Sequence, residues 1–385
     1  MALTLHKFPA VVPLGLNRSL IGLTLALLAA CHDPLPVRLG IVLDQDGYRG
    51  ALLAAKDIND AGGVAGRPVE LRILHGLSTR SARDAMSAAE DLTSDPSILA
   101  VVGHTNSSAS VAAARVYNEH HLVQIAPTST APSYSDAGPY SFRMVASDIH
   151  QGPFLAGVVL SDPSHPRTAM LYVNDDYGRA LQGTLVRSLA ARAQSPVYEA
   201  PYAEGAEFGN VDEVARAIAR TRPQLLVWLG RSPDLQRLLP ALRPLIPDLR
   251  VLASDGFSNP RYTPLPPAAL VGVRFVRFVD IDGPGATSAR ALATRYESRW
   301  HSASTDQFLL AYDAVHVLTD AVRAVGPNRS AIRDYLSGLG TVRPAFSGVV
   351  GPLTFDTHGD PPPVYYLNEV TPTGRRPVLD VRPAR

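Results

Sequence analysis

Val37-Arg38-Leu39-Gly40-Ile41-Val42-Leu43 is a near-continuous apolar run. The segment Gly47–Ala61 follows it, with Leu52, Leu53, Ala55 and Ile58 at helical spacing, and then comes Gly62-Gly63. The run suits a strand covered on both faces, and the segment suits an amphipathic helix that glycine stops. The same alternation continues outward. Strands are predicted at Val69–Leu74, Leu99–Val102 and Leu122–Ile125, with helices at Ser81–Thr93 and Ser107–His120. The pattern then restarts with a helix at His150–Ser161. Strands at Thr168–Val173, Val197–Tyr202, Leu225–Leu229 and Arg250–Ala253 follow, separated by helices at Tyr177–Ala193, Val211–Arg220 and Pro233–Leu245. Repeated βα alternation predicts an α/β fold with doubly wound parallel sheets. A strand at Val273–Val279, long helices at Ser288–Trp300 and Thr305–Val325, a short helix near Ser330–Ser337 and small strands near Leu353–Phe355 and Val364–Val370 complete the chain. Two similar halves with such a coda suggest lobes that exchange segments.

The 385 residues suit two domains or one large α/β unit. Apolar residues make up 46% and charged residues 18%, enough for a large core, and the net charge of +1 leaves no electrostatic footprint for nucleic acid or an anionic membrane. Lys7 and Lys56 are the only lysines, a skew that fits a biased genome better than a function.

Cys31 is the single cysteine, so an intrachain disulfide is excluded. Before it, Met1–Arg18 carries Lys7 and Arg18 and no acid, and Ser19–Ala30 is uncharged and mostly apolar. That run is shorter than the roughly 20 residues of a spanning helix and reads as the core of a secretion signal over residues 1–30. Leu28-Ala29-Ala30-Cys31 resembles a bacterial lipobox, in which the Cys31 thiol takes the lipid. An ordinary signal peptide with an incidental cysteine is the alternative.

From Val37 to about Arg376 the sequence resembles the branched-chain amino-acid (Leu/Ile/Val) receptor family of periplasmic solute-binding proteins. The stretches that carry the resemblance occur in order. They are Gly50 to Asn59 with Gly62-Gly63-Val64; Val101-Val102-Gly103-His104 with Asn106-Ser107-Ser108; Ile125-Ala126-Pro127-Thr128-Ser129-Thr130; and Phe142-Arg143 with Asp148 and Gln151-Gly152. Further on come Asp175-Asp176-Tyr177-Gly178; Ala253-Ser254-Asp255-Gly256; Tyr312-Asp313-Ala314; and Gly351-Pro352-Leu353 with Phe355-Asp356 and Gly359. The resemblance implies a type I periplasmic binding fold of the Venus-flytrap kind, with two α/β lobes joined by three crossovers near Ala146–Ser147, Phe278–Val279 and Phe346–Gly348. One lobe would then hold residues 31–146 and 279–347, the other 147–278 and 348–385. The ligand would sit between them, outside the carboxyl ends of the strands.

An amino acid presents a carboxylate and an ammonium. Ser107 and Ser108 open a helix, where free N–H groups suit a carboxylate; the same residues, with Asn106, also read as a plain helix cap. By resemblance, the residue at Thr130 offers its N–H and hydroxyl to the carboxylate, Thr128 its carbonyl to the ammonium, Tyr177 packs over the ligand, and Asp255 pairs with the ammonium. Tyr48, Asp148 and Arg231 are secondary candidates. Arg231 stands where many relatives place an aromatic residue, and pointing to water is the reading preferred over pairing with an acidic ligand. The loop Asp44–Arg49 is shorter and more acidic than in the family, which argues against a leucine-like pocket, and Asp46 reads as a helix N-cap.

Enzyme signatures are absent. There is no Gly-x-Ser-x-Gly elbow, paired-His zinc helix or phosphate loop, and His120-His121 lacks ligands at metal spacing. No catalytic residue, cofactor or metal is expected. The expected partners are a small-molecule ligand, an amino acid first, and the permease of an ABC importer, with membrane contact only through the lipid. A sensor working with a separate signalling partner, or a binder of amides or aromatic acids, remains the alternative.

Overall fold

A computed structural model describes residues 35–74, 81–258, 268–283 and 285–378. The expected secretion signal and Cys31 lie outside the described residues. Among the described residues no helix is long and apolar enough to cross a membrane.

The first sheet is fully parallel, in the order β2 (Val69–Ile73), β1 (Val37–Val42), β3 (Ile98–Gly103), β4 (Val123–Ala126), β5 (Ser141–Arg143). Strand alternation sends β1 residues to two faces. Leu39 and Ile41 meet α1 (Gln45–Asp60) and the long α9 (Asp306–Val325), while Val42 faces α2 (Ala82–Ser94) and α3 (Ser107–Glu119). α1 and α9 cross closely at Gly50, where a Cβ would stand 2.2 Å from the Phe308 carbonyl oxygen. Side chains start these helices. Asp44 accepts from Gly47 N–H, Asn106 from Ala109 N–H and Thr305 from Phe308 N–H. The α1 cap is therefore Asp44, and Asp46, expected to cap, lies inside the first turn.

The second sheet runs β14 (Gly374–Pro377), β13 (Tyr366–Thr371), β10 (Arg274–Arg277), β9 (Arg250–Ala253), β8 (Leu225–Leu229), β6 (Thr168–Val173), β7 (Tyr198–Tyr202). The strands β10, β9, β8, β6 and β7 are parallel, and β13 and β14 add an antiparallel edge, so the expectation of wholly parallel sheets holds for one lobe only. The helices α4 (Asp148–Leu160) and α5 (Asp176–Ala190) pack together here, as do α6 (Val211–Arg220) and α7 (Ser232–Leu242). α8 (Thr287–Trp300) and α10 (Arg329–Ser337) belong with the first sheet, and a small hairpin pairs β11 (Phe346–Gly348) with β12 (Gly351–Leu353).

Two large apolar cores follow. Val145 packs in the first and Phe154 in the second, Val276 in the second and Phe278 in the first, and Phe355 in the first and Leu367 in the second. The last passage between cores thus falls after Phe355, later than the 346–348 expected. Asp360, on that passage, is anchored in the first lobe by the buried Arg143, whose Nε and Nη2 donate to its two carboxylate oxygens at 2.5 and 2.6 Å. Pro361-Pro362-Pro363-Val364 then leads to Tyr365. Its ring lies 5.0 Å from Phe154 and 6.0 Å from Phe278, and its hydroxyl donates to the Ser147 carbonyl.

Candidate functional site

The carboxyl ends of β3, β4, β8 and β9 face one cleft of about 540 Å³. On the first lobe it is walled by Asp44, Gln45, Asp46, Thr105, Asn106, Ser107, Thr128, Phe278 and Gln307, and on the second by Tyr177, Arg231, Ser232, Pro233, Gln236, Asp255, Gly256 and Ser258. Strand ends are where open α/β sheets leave their loops and helix N-termini, so polar groups collect there.

Ser107, the first residue of α3, is buried, and its Oγ accepts from two backbone donors, Thr130 N–H at 3.3 Å and Ala131 N–H at 3.2 Å. A hydroxyl has one proton and two lone pairs. With both lone pairs engaged, the proton is what Ser107 has to offer, so it is a donor toward the cleft. The loop that supplies those N–H groups is held from behind, because Arg143 Nη1 donates to the carbonyls of Ser129 (3.4 Å) and Ala131 (3.1 Å). Thr128 Oγ1 donates to the Thr105 carbonyl at 2.8 Å, and Thr105 Oγ1 accepts from Asp44 N–H and from Gln307 Nε2.

Asp255 projects from the end of β9. Its Oδ1 accepts from Gln151 Nε2 at 2.9 Å and lies 2.6 Å from the Tyr177 hydroxyl, which also accepts from Gly256 N–H. Tyr177 sits in the first turn of α5, where Gly178 lets the helix approach β6; a Cβ there would stand 1.9 Å from the Val173 carbonyl oxygen. Burial raises the Asp255 carboxyl above its ordinary range, against the pull of Tyr177, Gln151 and the Arg231 charge. Burial, followed by the charge of Asp255, raises the phenol of Tyr177. Gln151 Nε2 also donates to Asp148 Oδ1 at 3.2 Å. Asp148 is fully buried, and burial together with the Asp255 charge holds its carboxyl well above the usual range.

The structure therefore brings Ser107, Thr128, Tyr177, Arg231 and Asp255 onto one wall system. Thr130 and Asp148 stand behind it. Thr130 N–H donates to Ser107 and Thr130 Oγ1 to Asp148 at 2.9 Å, so both groups expected to meet a ligand are engaged inside the protein. Ser108 lies off the cleft, its Oγ accepting from Asp176 N–H of the other lobe at 3.4 Å, and Tyr48 is not among the lining residues. Arg231 does not point to water. It pairs with Asp175 at 2.8 Å and reaches Glu204 at 3.9 Å, and its guanidinium lies 4.9 Å from the centre of the Tyr177 ring. Its carboxylate partners come from distant loops, which no local pattern could announce. Gln151, Gln236 and Gln307 were not anticipated as site residues. A glutamine near the start of a helix carries no signal of its own. Among the described residues no cluster of three or more His, Cys, Asp or Glu is placed to hold a metal.

A family model described as periplasmic binding protein matches residues 42–375. The Leu/Ile/Val-binding protein homolog 1 of Brucella abortus (strain 2308) is 26% identical over 318 residues, covering 81% of this chain and 82% of that one. Among solved structures, the ABC transporter substrate-binding protein from Desulfitobacterium hafniense in complex with Leu has a TM-score of 0.75 at 21% identity, covering 90% of this chain and all of that one. An ABC transporter solute-binding protein from R. palustris in complex with benzoate has a TM-score of 0.75 at 15% identity, covering 89% and 95% of the two chains. These likenesses show the two-lobed type I periplasmic binding fold.

Proposed function

We propose, from the premise that this chain belongs to the periplasmic binding protein family, that it is an extracytoplasmic receptor for a free amino acid, which it delivers to the permease of an ABC importer. As a member of that family the chain binds a solute and is not an enzyme. The observation that carries the amino-acid reading is the pairing, in one cleft, of a hydroxyl restricted to donating (Ser107, at a helix N-terminus) with a buried carboxylate from the facing lobe (Asp255). A carboxylate suits the first and an ammonium the second, so the two ends of an α-amino acid bridge the lobes. Thr128 and Tyr177 line the space between. A ligand that touches both lobes favours the closed arrangement by its differential affinity for it. Cys31 supplies the lipid anchor in this reading.

Support comes from the relative in Brucella abortus, named as a Leu/Ile/Val-binding homolog, and from the leucine complex of the Desulfitobacterium hafniense protein. The test is a thermal-shift screen of the twenty amino acids beside their deaminated acids. A ligand at 100 times its Kd stabilises the folded protein by about 2.7 kcal/mol, a readily measured shift. At least one amino acid should shift the transition while its deaminated analogue does not. Equal shifts from both would remove the ammonium from the account.

A further inference from the structure

Behind the cleft wall, Asp148 and Asp255 are held by a single amide. Asp148, Gln151 and Thr130 are fully buried, and Asp255 is 8% exposed. Gln151 Oε1 accepts from Asp255 N–H at 3.2 Å. A backbone N–H can only donate, so that contact fixes the amide with Oε1 on its side. Nε2 then donates to Asp255 Oδ1 at 2.9 Å and to Asp148 Oδ1 at 3.2 Å. One nitrogen within hydrogen-bond reach of both leaves the two carboxylate oxygens only a few ångströms apart.

Neither carboxylate has a cation of its own. Among the described residues no Arg, Lys or His forms an ion pair with Asp148 or Asp255; Arg143 is bound to Asp360 and Arg231 to Asp175. Two like charges this close, away from water, resist ionising together, and such a pair holds a proton above the usual carboxylate range. Burial, followed by the Asp255 charge, acts on Asp148 in that direction. The Thr130 hydroxyl, 2.9 Å from Asp148 Oδ2, can donate to a carboxylate or accept from a carboxylic acid, so it serves Asp148 in either state.

Asp255 lines the cleft and Asp148 does not. An ammonium arriving at Asp255 brings the positive charge that the pair lacks and favours ionisation of both members. The other groups facing the pair are Arg143 on β5, Asp175 before α5, Arg231 before α7, and the phenols of Tyr177 and Tyr365, which burial raises. Asp44 and Asp46 stand across the cleft, and His150, on the same helix as Asp148, is exposed.

We infer that in the empty cleft Asp148 and Asp255 share one proton, and that an amino acid expels it to solvent when its ammonium meets Asp255, with Asp148 as the positioning residue that couples binding to proton release. This inference rests on the amino-acid reading of the cleft. The sign follows from linkage: where binding releases a proton, affinity rises with pH, by up to about 10-fold per unit for each proton released, and levels off once the empty pair has ionised.

The test is calorimetric titration of the purified protein with the tightest binder among the L-amino acids other than histidine and cysteine, whose own side chains exchange protons near neutral pH. Titrations run from about pH 5 to about pH 8, above the usual aspartate value of about 3.9, in two buffers of different ionisation enthalpy. The difference in apparent enthalpy between buffers counts the protons. The wild type should release close to one proton in part of this range, with affinity climbing as pH rises there. Asp148→Asn, close in shape to the native side chain, should lose most of that release. Enthalpies that do not depend on the buffer anywhere in the range, affinity that falls as pH rises, or an equal release from Asp148→Asn overturns the inference and leaves the amino-acid reading standing; should that variant fail to fold, the wild-type proton count decides alone. Binding by none of these amino acids overturns the inference, and binding by none of the twenty overturns the reading beneath it as well.

Discussion

Replacing Asp360 by leucine should destabilise the protein far more than its position in an irregular segment suggests. Arg143 is fully buried, and the Asp360 side chain is 11% exposed. The guanidinium meets both carboxylate oxygens, the Ser135 hydroxyl and the carbonyls of Ser129 and Ala131. Asp360→Leu leaves that charge buried with neutral partners only. Breaking a buried pair from one side costs about 3–5 kcal/mol. The residual exposure of Asp360 and the carbonyls left to Arg143 favour about 3. In a chain of this length that lowers the melting temperature by about 6 °C, at about 2 °C per kcal/mol. Arg143→Met removes the charge but strands two carbonyls and a carboxylate, so its loss should be at least as large. In the double variant the orphaned carboxylate and guanidinium are both gone, and what lose their partners are the two carbonyls, at about 1 kcal/mol each, and the half-buried Ser135 hydroxyl, which water can reach. Urea denaturation of the four proteins, followed by circular dichroism, gives the coupling energy, expected at about 2 kcal/mol or more. Losses that add to within about 0.5 kcal/mol would mean that the two residues do not act as a pair, and that the carbonyl contacts alone hold the 129–131 loop.

At the site, Asp255→Asn should weaken binding of the best amino acid by about 30-fold or more, since leaving a buried charge unpaired costs about 2–5 kcal/mol; Ser107→Ala, which leaves the helix N–H groups in place, should cost less. Calorimetry on both variants checks this, and an unchanged Kd for Asp255→Asn refutes the ammonium pairing. Asp313 gives a pH test: its carboxylate accepts from Val349 and Val350 N–H, and burial raises the carboxyl from 3.8 to about 6. The fold therefore favours the protonated form, and this contribution, full below pH 3.8, is lost as pH rises through about 6. Stability of the wild type relative to Asp313→Asn should fall by about 3 kcal/mol between pH 3.5 and 7, at about 1.4 kcal/mol per unit; a flat difference across urea titrations refutes it. Cys31→Ser should abolish lipid attachment, and wild-type protein recovered without detergent and without lipid by mass spectrometry would count against the anchor.

The alternation of strands and helices was legible because each period is local. The strand Leu225–Leu229 and the helix Val211–Arg220 have the bounds read from the sequence, the helix being opened by the Asn210 side chain. The strand Ser141–Arg143 escaped notice because three residues carry no period, and because a buried arginine in a strand makes sense only beside Asp360, 217 residues away. At the site, Ser107 stands out because it opens a helix, while Tyr177 and Asp255 are reached through the family resemblance. Gln307 and Gln236 carry no such signal, since a glutamine within a helix says nothing of its own and only the fold brings both to the cleft. Arg231 was misjudged for the same reason, its environment being made by Asp175 and Glu204.

The triproline passage after Asp360 behaves as a strut. Proline fixes its own φ and pushes the residue before it out of the helical region, so Asp360, Pro361 and Pro362 are all confined to extended shapes, and the three prolines span about 9 Å with little give. One end is bolted to the first lobe through Arg143; the other meets Tyr365, lodged among Ser147, Phe154 and Phe278. A strut holds distance and leaves angle free. On this connection the free torsions begin at the ψ of Pro363 and continue through Val364 and Tyr365, so a tilt of one lobe against the other would turn at that corner.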